Sequence, residues 1–500
     1  METRSEAQAI QAPLSGHRGV ESLRWKEHLH NHPSLAPYSE VLLKLSHRLP
    51  LDKFTSLSPN VQQRLAAFIA DRLDPNSPVM TLCWAPGISK EAIMAFHIAE
   101  EMAAQETAFE EMLPEVMASE GDPIIDLATQ FDDGDRWRRT ATFNSFFERA
   151  EQGLPTTLLW GFMKDGTRIE GFNGEPTSGS DLIAFLDEIY DVDGGSDDLT
   201  TRPWFSVFQG AFDNIASLTG ITYVYEPNDD RARLSNFSRP SGRVGLRADI
   251  RIGGHYIDGD SGSNTLAYNF APESGGDMII DTGNTSFFGK TTLDSINLRN
   301  VVEHEHCHGL GLSHICPINE TKLMEPFISR RFRGLQLDDI FSLNRLYGDF
   351  YEKVHRDRDN DSPENSTVLP IISGETFKRE SLSIDDNSDI DIYQLENLPA
   401  GTPITVKVTP VATPPGFVEG PQNSDGSCSA GSNFDFTNIH DLEIKIIASD
   451  GRTILSQAND QPIGMSEEII AFELPSTSDY YIHVAGDLSL IHISEPTRPY

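Results

Sequence analysis

Apolar positions along the chain change their spacing twice. Between residues 37 and 117 they recur at helical intervals. Val61, Leu65, Phe68, Ile69 and Leu73 share one face behind a Ser58-Pro59-Asn60 start signal, and a second helical run extends from Ser89 to Leu113. From about Asp135 short β-rich runs alternate with helices. The runs are 155–162 (PTTLLWGF), 221–226 (ITYVYE), 248–254 (ADIRIGG), 264–270 (NTLAYNF) and 277–282 (DMIIDT). Pro203 opens a helix with Phe205, Phe208, Phe212 and Ile215 on one face and Gly220 as its stop; further helices are predicted from about Asp294 or Ser295 and over 335–348. Beyond 368 the pattern alternates with period two, in ITVKV (404–408), LEIKI (442–446) and YYIHV (480–484).

These shifts predict a domain order. Residues 1–35 read as a mobile N-terminus, 36–134 as a helical pro-region or accessory region and 135–349 as a mixed α/β domain. A charged linker over 350–367 leads into a small all-β sandwich over 368–487. The expected fold class is α/β (α+β), a twisted mixed sheet with helices, between a helical N-terminal region and the sandwich. The segment LSLIHISEPTR (488–498) resembles the translation of a transposase adapter used in sequencing-library preparation. Residues 488–500 are therefore expected to be foreign, and the sandwich to be incomplete.

One stretch carries chemistry: His304-Glu305-His306-Cys307-His308-Gly309-Leu310-Gly311-Leu312-Ser313-His314. Residues four apart on a helix share a face, so His304 and His308 can bind one ion. Gly311 can take positive φ, ending the helix and returning His314 as a third ligand. Three neutral imidazoles with a fourth position open describe a single catalytic zinc. Glu305 lies one position round from the pair, within reach of a water on the metal. At this chain's composition the five fixed positions would occur by chance roughly 10⁻⁴ times. His306 points away from the pair and is expected at the surface.

Composition narrows the partners. With 39 basic and 76 acidic residues the net charge is −37, which repels nucleic acid. No apolar run is long enough for a membrane span. Four cysteines are too few for a disulfide scaffold and allow at most two bridges. No secretory signal is visible at the start.

The motif resembles the metzincin signature HExxHxxGxxH, and Lys322-Leu323-Met324-Glu325-Pro326 resembles the Met-turn of the matrixins, the matrix metalloproteinase-like metzincins. The resemblance is to bacterial members. It covers about Asp135 to Gly348 and is dense from Gly253 onward. It implies zinc ligands His304, His308 and His314, a general base in Glu305, and Met324 as a floor beneath the metal. It also implies an S1′ wall from Pro326 and Phe327, and a protein or peptide substrate lying antiparallel to an exposed strand around Leu266 and Tyr268. An extracellular location and a monomer are expected on the same ground. Residues 368–487 resemble the pre-peptidase C-terminal sandwich of secreted bacterial proteases.

Departures from the family matter. Tyr268 and Ile279 stand where two structural-zinc histidines would fall, so only His255 remains and no second zinc is expected. Asp260 and Asp281 stay at matching positions for calcium, with turn capping as the competing role. Cys307 reads as a buried inert thiol rather than a partner for Cys316, and Cys83 lacks the neighbours of an inhibitory cysteine switch. The expected activity is a zinc metalloendopeptidase. The alternatives are an inactive metal-binding or adhesive module and a metallohydrolase acting on something other than peptides.

Overall fold

The computed structural model describes residues 24, 26, 28, 29, 80–84, 136–143, 150 and 152–488. Breaks within the last range fall at 173–174, 236–239, 262–264, 356–359, 372–375, 381, 386–388 and 424–425. The chain divides into two units, residues 1–79 with 98–125 and residues 80–97 with 126–500. In the first, Arg24, Lys26, His28 and Leu29 are helical. The helices expected over 61–73 and 89–113, and the segment 489–500, lie outside the described residues.

In the second unit β-branched and aromatic runs form a six-stranded mixed sheet. Its strands are β1 (Met80–Trp84), β2 (Thr156–Phe162), β5 (Ile221–Tyr225), β6 (Ile250–His255), β7 (Thr265–Phe270) and β8 (Met278–Asp281), in the order β1-β7-β8-β6-β2-β5. β2 is parallel to β5 and β6, and β6 to β8; β7 runs antiparallel to β8 and to β1. A small ladder of β3 (Arg168–Ile169) and β4 (Ser178–Gly179) precedes α1 (Leu182–Ile189).

One face of the sheet is packed by α2 (Phe205–Leu218) and α4 (Thr292–Gly309), with the short α3 (Thr285–Phe288) before α4. The phenylalanines of α2 meet the strands: Phe212 stacks on Trp160 at 4.5 Å and Phe208 meets Phe162 edge-on at 5.0 Å. Leu298, Val301 and Val302 of α4 enter the same core. The opposite face buries Met163, Ile169, Leu234, Tyr268, Phe270 and Ile279. Leu293, Asp294 and Ser295 have φ of +54°, +59° and +51°, so the right-handed part of α4 begins only after Ser295. Three such residues in a row are costly for L-amino acids.

Strand β1 differs from expectation. It arises inside the region read as helical, and its Leu82 and Cys83 pair with Tyr268 and Ala267 of β7. The β7 edge predicted to be open is therefore already covered.

After α5 (Leu337–Tyr347) the chain enters a sandwich, as the period-two runs predict. One sheet orders β10 (Thr367–Val368), β11 (Ile390–Leu398), β18 (Ser478–Leu488), β15 (His440–Ile447) and β16 (Ile454–Ala458); β12 (Pro403–Val408) pairs with β17 (Glu467–Glu473). Tyr393, Leu395, Ile444, Ile446, Ile469 and Ile482 fill the space between them. Tyr351 is buried in that core and Asn360 is fully buried, so the segment expected to be a charged linker is packed into the fold.

Between β12 and β15 an arm leaves the sandwich. Its strands β13 (Val418–Pro421) and β14 (Ser432–Asn433) join β9 (Ile315–Cys316), with Gly420 opposite Cys316, and a disulfide links Cys316 to Cys428.

Candidate metal centre

Helix α4 carries His304, Glu305 and His308 at its C-terminal end, all buried. The helix stops in a Schellman arrangement: Leu312 N–H donates to Cys307 O at 3.0 Å and Gly311 N–H to His308 O at 3.0 Å. Gly311 has φ +107°, the conformation the motif required of it, and the turn brings His314 back beside the helix. Gly309 is held for a different reason, since a Cβ there would sit 2.4 Å from Asn269 Nδ2.

The three imidazoles converge. Nε2 of His304 lies 3.1 Å from Nε2 of His308 and 3.2 Å from that of His314, and the last pair is also 3.2 Å apart. Their Nδ1 atoms are held from behind by Leu323 O at 2.8 Å, Leu312 O at 2.7 Å and Gln422 Oε1 at 3.0 Å. Carbonyl oxygens can only accept, so each Nδ1 carries the proton and each Nε2 presents a lone pair. Gln422 Nε2 donates to Gly426 O at 2.9 Å, which sets the amide with its oxygen toward His314.

Three lone pairs facing one another at this distance repel, and no hydrogen bond can join them. A cation resolves the conflict: a tetrahedral ion with metal–nitrogen bonds of about 2.0–2.1 Å spaces its ligands about 3.3–3.4 Å apart. The donor set thus fits zinc. Burial acts in the same sense, lowering the His304 pKa to about 4 and that of His308 well below its usual value, so both stay neutral and able to ligate.

The segment from Leu323 to Glu325 is held from two sides. Met324 is fully buried and Leu323 supplies the carbonyl behind His304. Asp339, in the first turn of α5, accepts Leu323 N–H at 3.0 Å and Met324 N–H at 3.1 Å; Glu325 accepts Thr321 N–H at 2.8 Å and Glu320 N–H at 2.7 Å. Burial pushes Asp339 up to about 7. Pro326 is buried, and Phe327 is half-buried against the cluster that contains Tyr268 and Phe270.

Several expectations change. His306 is buried, not at the surface: its Nε2 and Tyr223 OH share a hydrogen bond of 2.6 Å and Phe212 meets its ring at 4.9 Å. The residue faces the aromatic core because it lies on the side of α4 that packs against α2. Leu266 and Tyr268 are both buried, in different hydrophobic clusters, so their side chains line no open cleft.

Asp260 and Asp281 are spent on loop geometry. Asp281 accepts N–H groups of Ile257, Gly259 and Gly283 at 2.9, 2.7 and 2.8 Å; Asp260 caps Thr285 and Ser286 at the start of α3. Neither belongs to a group of three potential ligands among the described residues. His255 and Tyr268 meet at Glu175, at 3.2 and 2.9 Å. Cys307 is a buried free thiol, as expected.

Gln422, Cys428 and Asp339 escaped the reading of the sequence. Gln422 lies 108 residues from the histidine it holds, with no local pattern to mark it. Asp339 had a signal, the Asp338-Asp339 pair opening a helix.

Two outcomes are expected here. Gln422→Ala should weaken zinc about 10–100-fold in a chelator competition, since a group orienting a ligand typically contributes that much. Burial lowers the His306 pKa to about 3, below its ordinary 6.5, so its contribution to stability is complete above pH 6.5 and lost as pH falls toward 3. His306→Phe should therefore flatten the acid side of a plot of Tm against pH, while costing about 1–2 kcal/mol at neutral pH by stranding the Tyr223 hydroxyl.

The Matrixin family model matches residues 189–348, the span from the end of α1 to the stop of α5 that contains the three converging histidines and Met324. No curated protein matches the chain. The match and the converging histidines agree: residues 189–348 belong to the matrixin family of zinc-dependent metalloproteases, and the chain carries a metzincin domain of the matrixin type.

Proposed function

We propose that the protein is a zinc endopeptidase that cleaves internal bonds of extended polypeptides, with Glu305 as its general base. The observation that carries this reading is the meeting of three unprotonated Nε2 atoms at one buried point. When bound there, zinc supplies an acidified water and polarises the scissile carbonyl. Glu305 takes a water proton on its carboxylate and returns it to the leaving nitrogen. His304, His308 and His314 hold the ion; Leu323, Leu312 and Gln422 keep the rings from turning. Met324 underlies the centre, and Pro326 and Phe327 form the wall of the pocket for the residue after the cut.

The substrate strand would lie along β7, where Leu266 and Tyr268 contribute backbone rather than side chains. β1 supports this geometry, because it already pairs antiparallel with that edge. It must also leave before a substrate can enter. The Cys316–Cys428 disulfide favours action outside the reducing cytoplasm, and among the described residues no helix is long and apolar enough to cross a membrane.

Casein digestion with and without a zinc chelator tests the activity; chelator-resistant digestion would overturn it. A second variant tests the groove. One of any two successive N–H groups in an antiparallel strand points at its partner, so prolines at both Thr81 and Leu82 must break a ladder bond. Hydrolysis of a short peptide should rise several-fold in that variant; an unchanged or lower rate would remove β1 from the groove.

A further inference from the structure

Just beyond α5 the chain gathers a second set of buried acidic groups. Asp349, Glu352 and, from β11, Asp391 offer oxygens that lie within 4.8 Å of one another. Their exposures are 0%, 3% and 2%. Asn360 Nδ2 donates to Asp391 Oδ1 at 2.8 Å. Asp385 and Asp389 are close enough for their charges to act on Glu352, and Asp385 N–H donates to Asp389 Oδ2 at 2.6 Å.

This set is not an ion-pair network, although Asp349 also accepts Tyr351 N–H at 2.6 Å and Ser383 N–H at 3.0 Å. Among the described residues no Lys or Arg makes an ion pair with Asp349, Glu352 or Asp391. The nearby Lys353 directs its ammonium at Ala216 O and Ile221 O; Arg136 directs its guanidinium at Leu346 O and Leu154 O. Two acceptors point to a ligand. Glu352 Oε1 and Asn360 Oδ1 are buried with no hydrogen-bond partner, although each belongs to a group that adjoins the cluster. Leaving such atoms unsatisfied costs about 1–3 kcal/mol each, more for a charged group.

The backbone is shaped to admit the cluster. Gly348 has φ +71°, and a Cβ there would lie 1.4 Å from Glu352 Oε2; Gly153 has φ +77°, and its Cβ would lie 1.8 Å from Asp385 Oδ2. Burial raises Asp349 to about 6 against the backbone N–H groups it accepts, and burial, then repulsion from neighbouring carboxylates, holds Glu352, Asp389 and Asp391 well above their usual range. Near neutral pH the group needs either protons or a cation.

We propose that Asp349, Glu352, Asp391 and Asn360, with Asp385 and Asp389 beside them, bind one calcium ion that fastens the metzincin domain to the sandwich. The donors are all oxygen, which suits a hard cation and not zinc. The site is buried and rich in carboxylates, which suits calcium with its six to eight oxygens better than magnesium, which keeps several waters. Asp349 and Glu352 follow directly on α5 while Asp391 belongs to the sandwich, so the ion would join the two. This inference stands independently of the zinc reading.

The test uses the full chain carrying Glu305→Ala, which excludes self-digestion, after removal of calcium with EGTA. Calorimetric titration with calcium should find a site that Asp391→Asn and Glu352→Gln each weaken by about two orders of magnitude or more. Asp260→Asn should leave that site intact. Terbium in place of calcium should show luminescence excited through Tyr351 and Tyr393, whose rings lie 5.8 Å apart beside Asp391, and Asp391→Asn should abolish it. Calcium should raise the Tm of the parent but not of Asp391→Asn. Without calcium that variant should melt no lower than the parent, because it removes a buried charge, and this separates lost binding from misfolding. Absence of calcium binding to the parent, or equal affinity in the parent and both variants, would overturn the proposal.

Discussion

A chain carrying Glu305→Ala is expected to keep its zinc and to lose peptide hydrolysis by about 10²–10⁴-fold, the range over which a positioned acid–base group accelerates such reactions. The two observables separate because Glu305 is not among the converging ligands. Those are the Nε2 atoms of His304, His308 and His314, fixed through their far nitrogens by Leu323, Leu312 and Gln422. Removing the carboxylate leaves these contacts untouched. The substitution does open a small buried space, so zinc content and Tm must be read alongside turnover. Loss of turnover with zinc retained supports the proposed role. Near-normal turnover would remove Glu305 from it, and joint loss of zinc and turnover would show a structural part instead.

The second large effect is expected from Cys428→Ser. The disulfide to Cys316 spans 112 residues, and closing a loop of that length restricts the unfolded chain by about 4–5 kcal/mol in the chain-entropy account. A loss of this order should lower Tm by roughly 5–10 °C. The consequence should reach the metal. Cys316 lies two residues beyond His314, and Gln422, which holds His314 Nδ1, sits on the same arm as Cys428. Zinc affinity should therefore fall together with stability, whereas a disulfide at a remote surface would lower stability alone. Zinc binding unchanged beside a depressed Tm would mean that β9–β13 pairing by itself positions Gln422.

The readable part of this molecule is the part whose physics is local. Helix α2 could be drawn from the spacing of its phenylalanines and the stop at Gly220, and β2, β5, β6, β7 and β8 each contain a run marked by composition. The convergence of the histidines was legible for the same reason: His304 and His308 are one helical turn apart, and Gly311 signals the reversal that returns His314. The start of α4 was not, because positive φ at Leu293, Asp294 and Ser295 leaves no mark in residue type. Pairings across long separations were hidden too. Nothing near Met80 announces a strand, since the ladder that makes it one lies almost two hundred residues onward in β7. His306 shows the limit of helical geometry: the azimuth was read correctly as away from the metal, but α2 occupies that side, so away from the metal meant into the core.

The acidic residues illustrate the same point. Asp260 and Asp281 were singled out by their positions, and both are used to shape a loop. Asp349, Glu352 and Asp391 carried no motif, and only the junction between α5 and β11 brings them together.

The most direct measurement is zinc X-ray absorption on the purified chain, with metal content measured in parallel for the wild type and for His308→Ala. The account predicts one tightly held zinc per wild-type chain, with three imidazole nitrogens at about 2.0–2.1 Å, and loss of that zinc in His308→Ala. A wild-type chain that binds no zinc, or a zinc whose ligands are unchanged by the substitution, would contradict it.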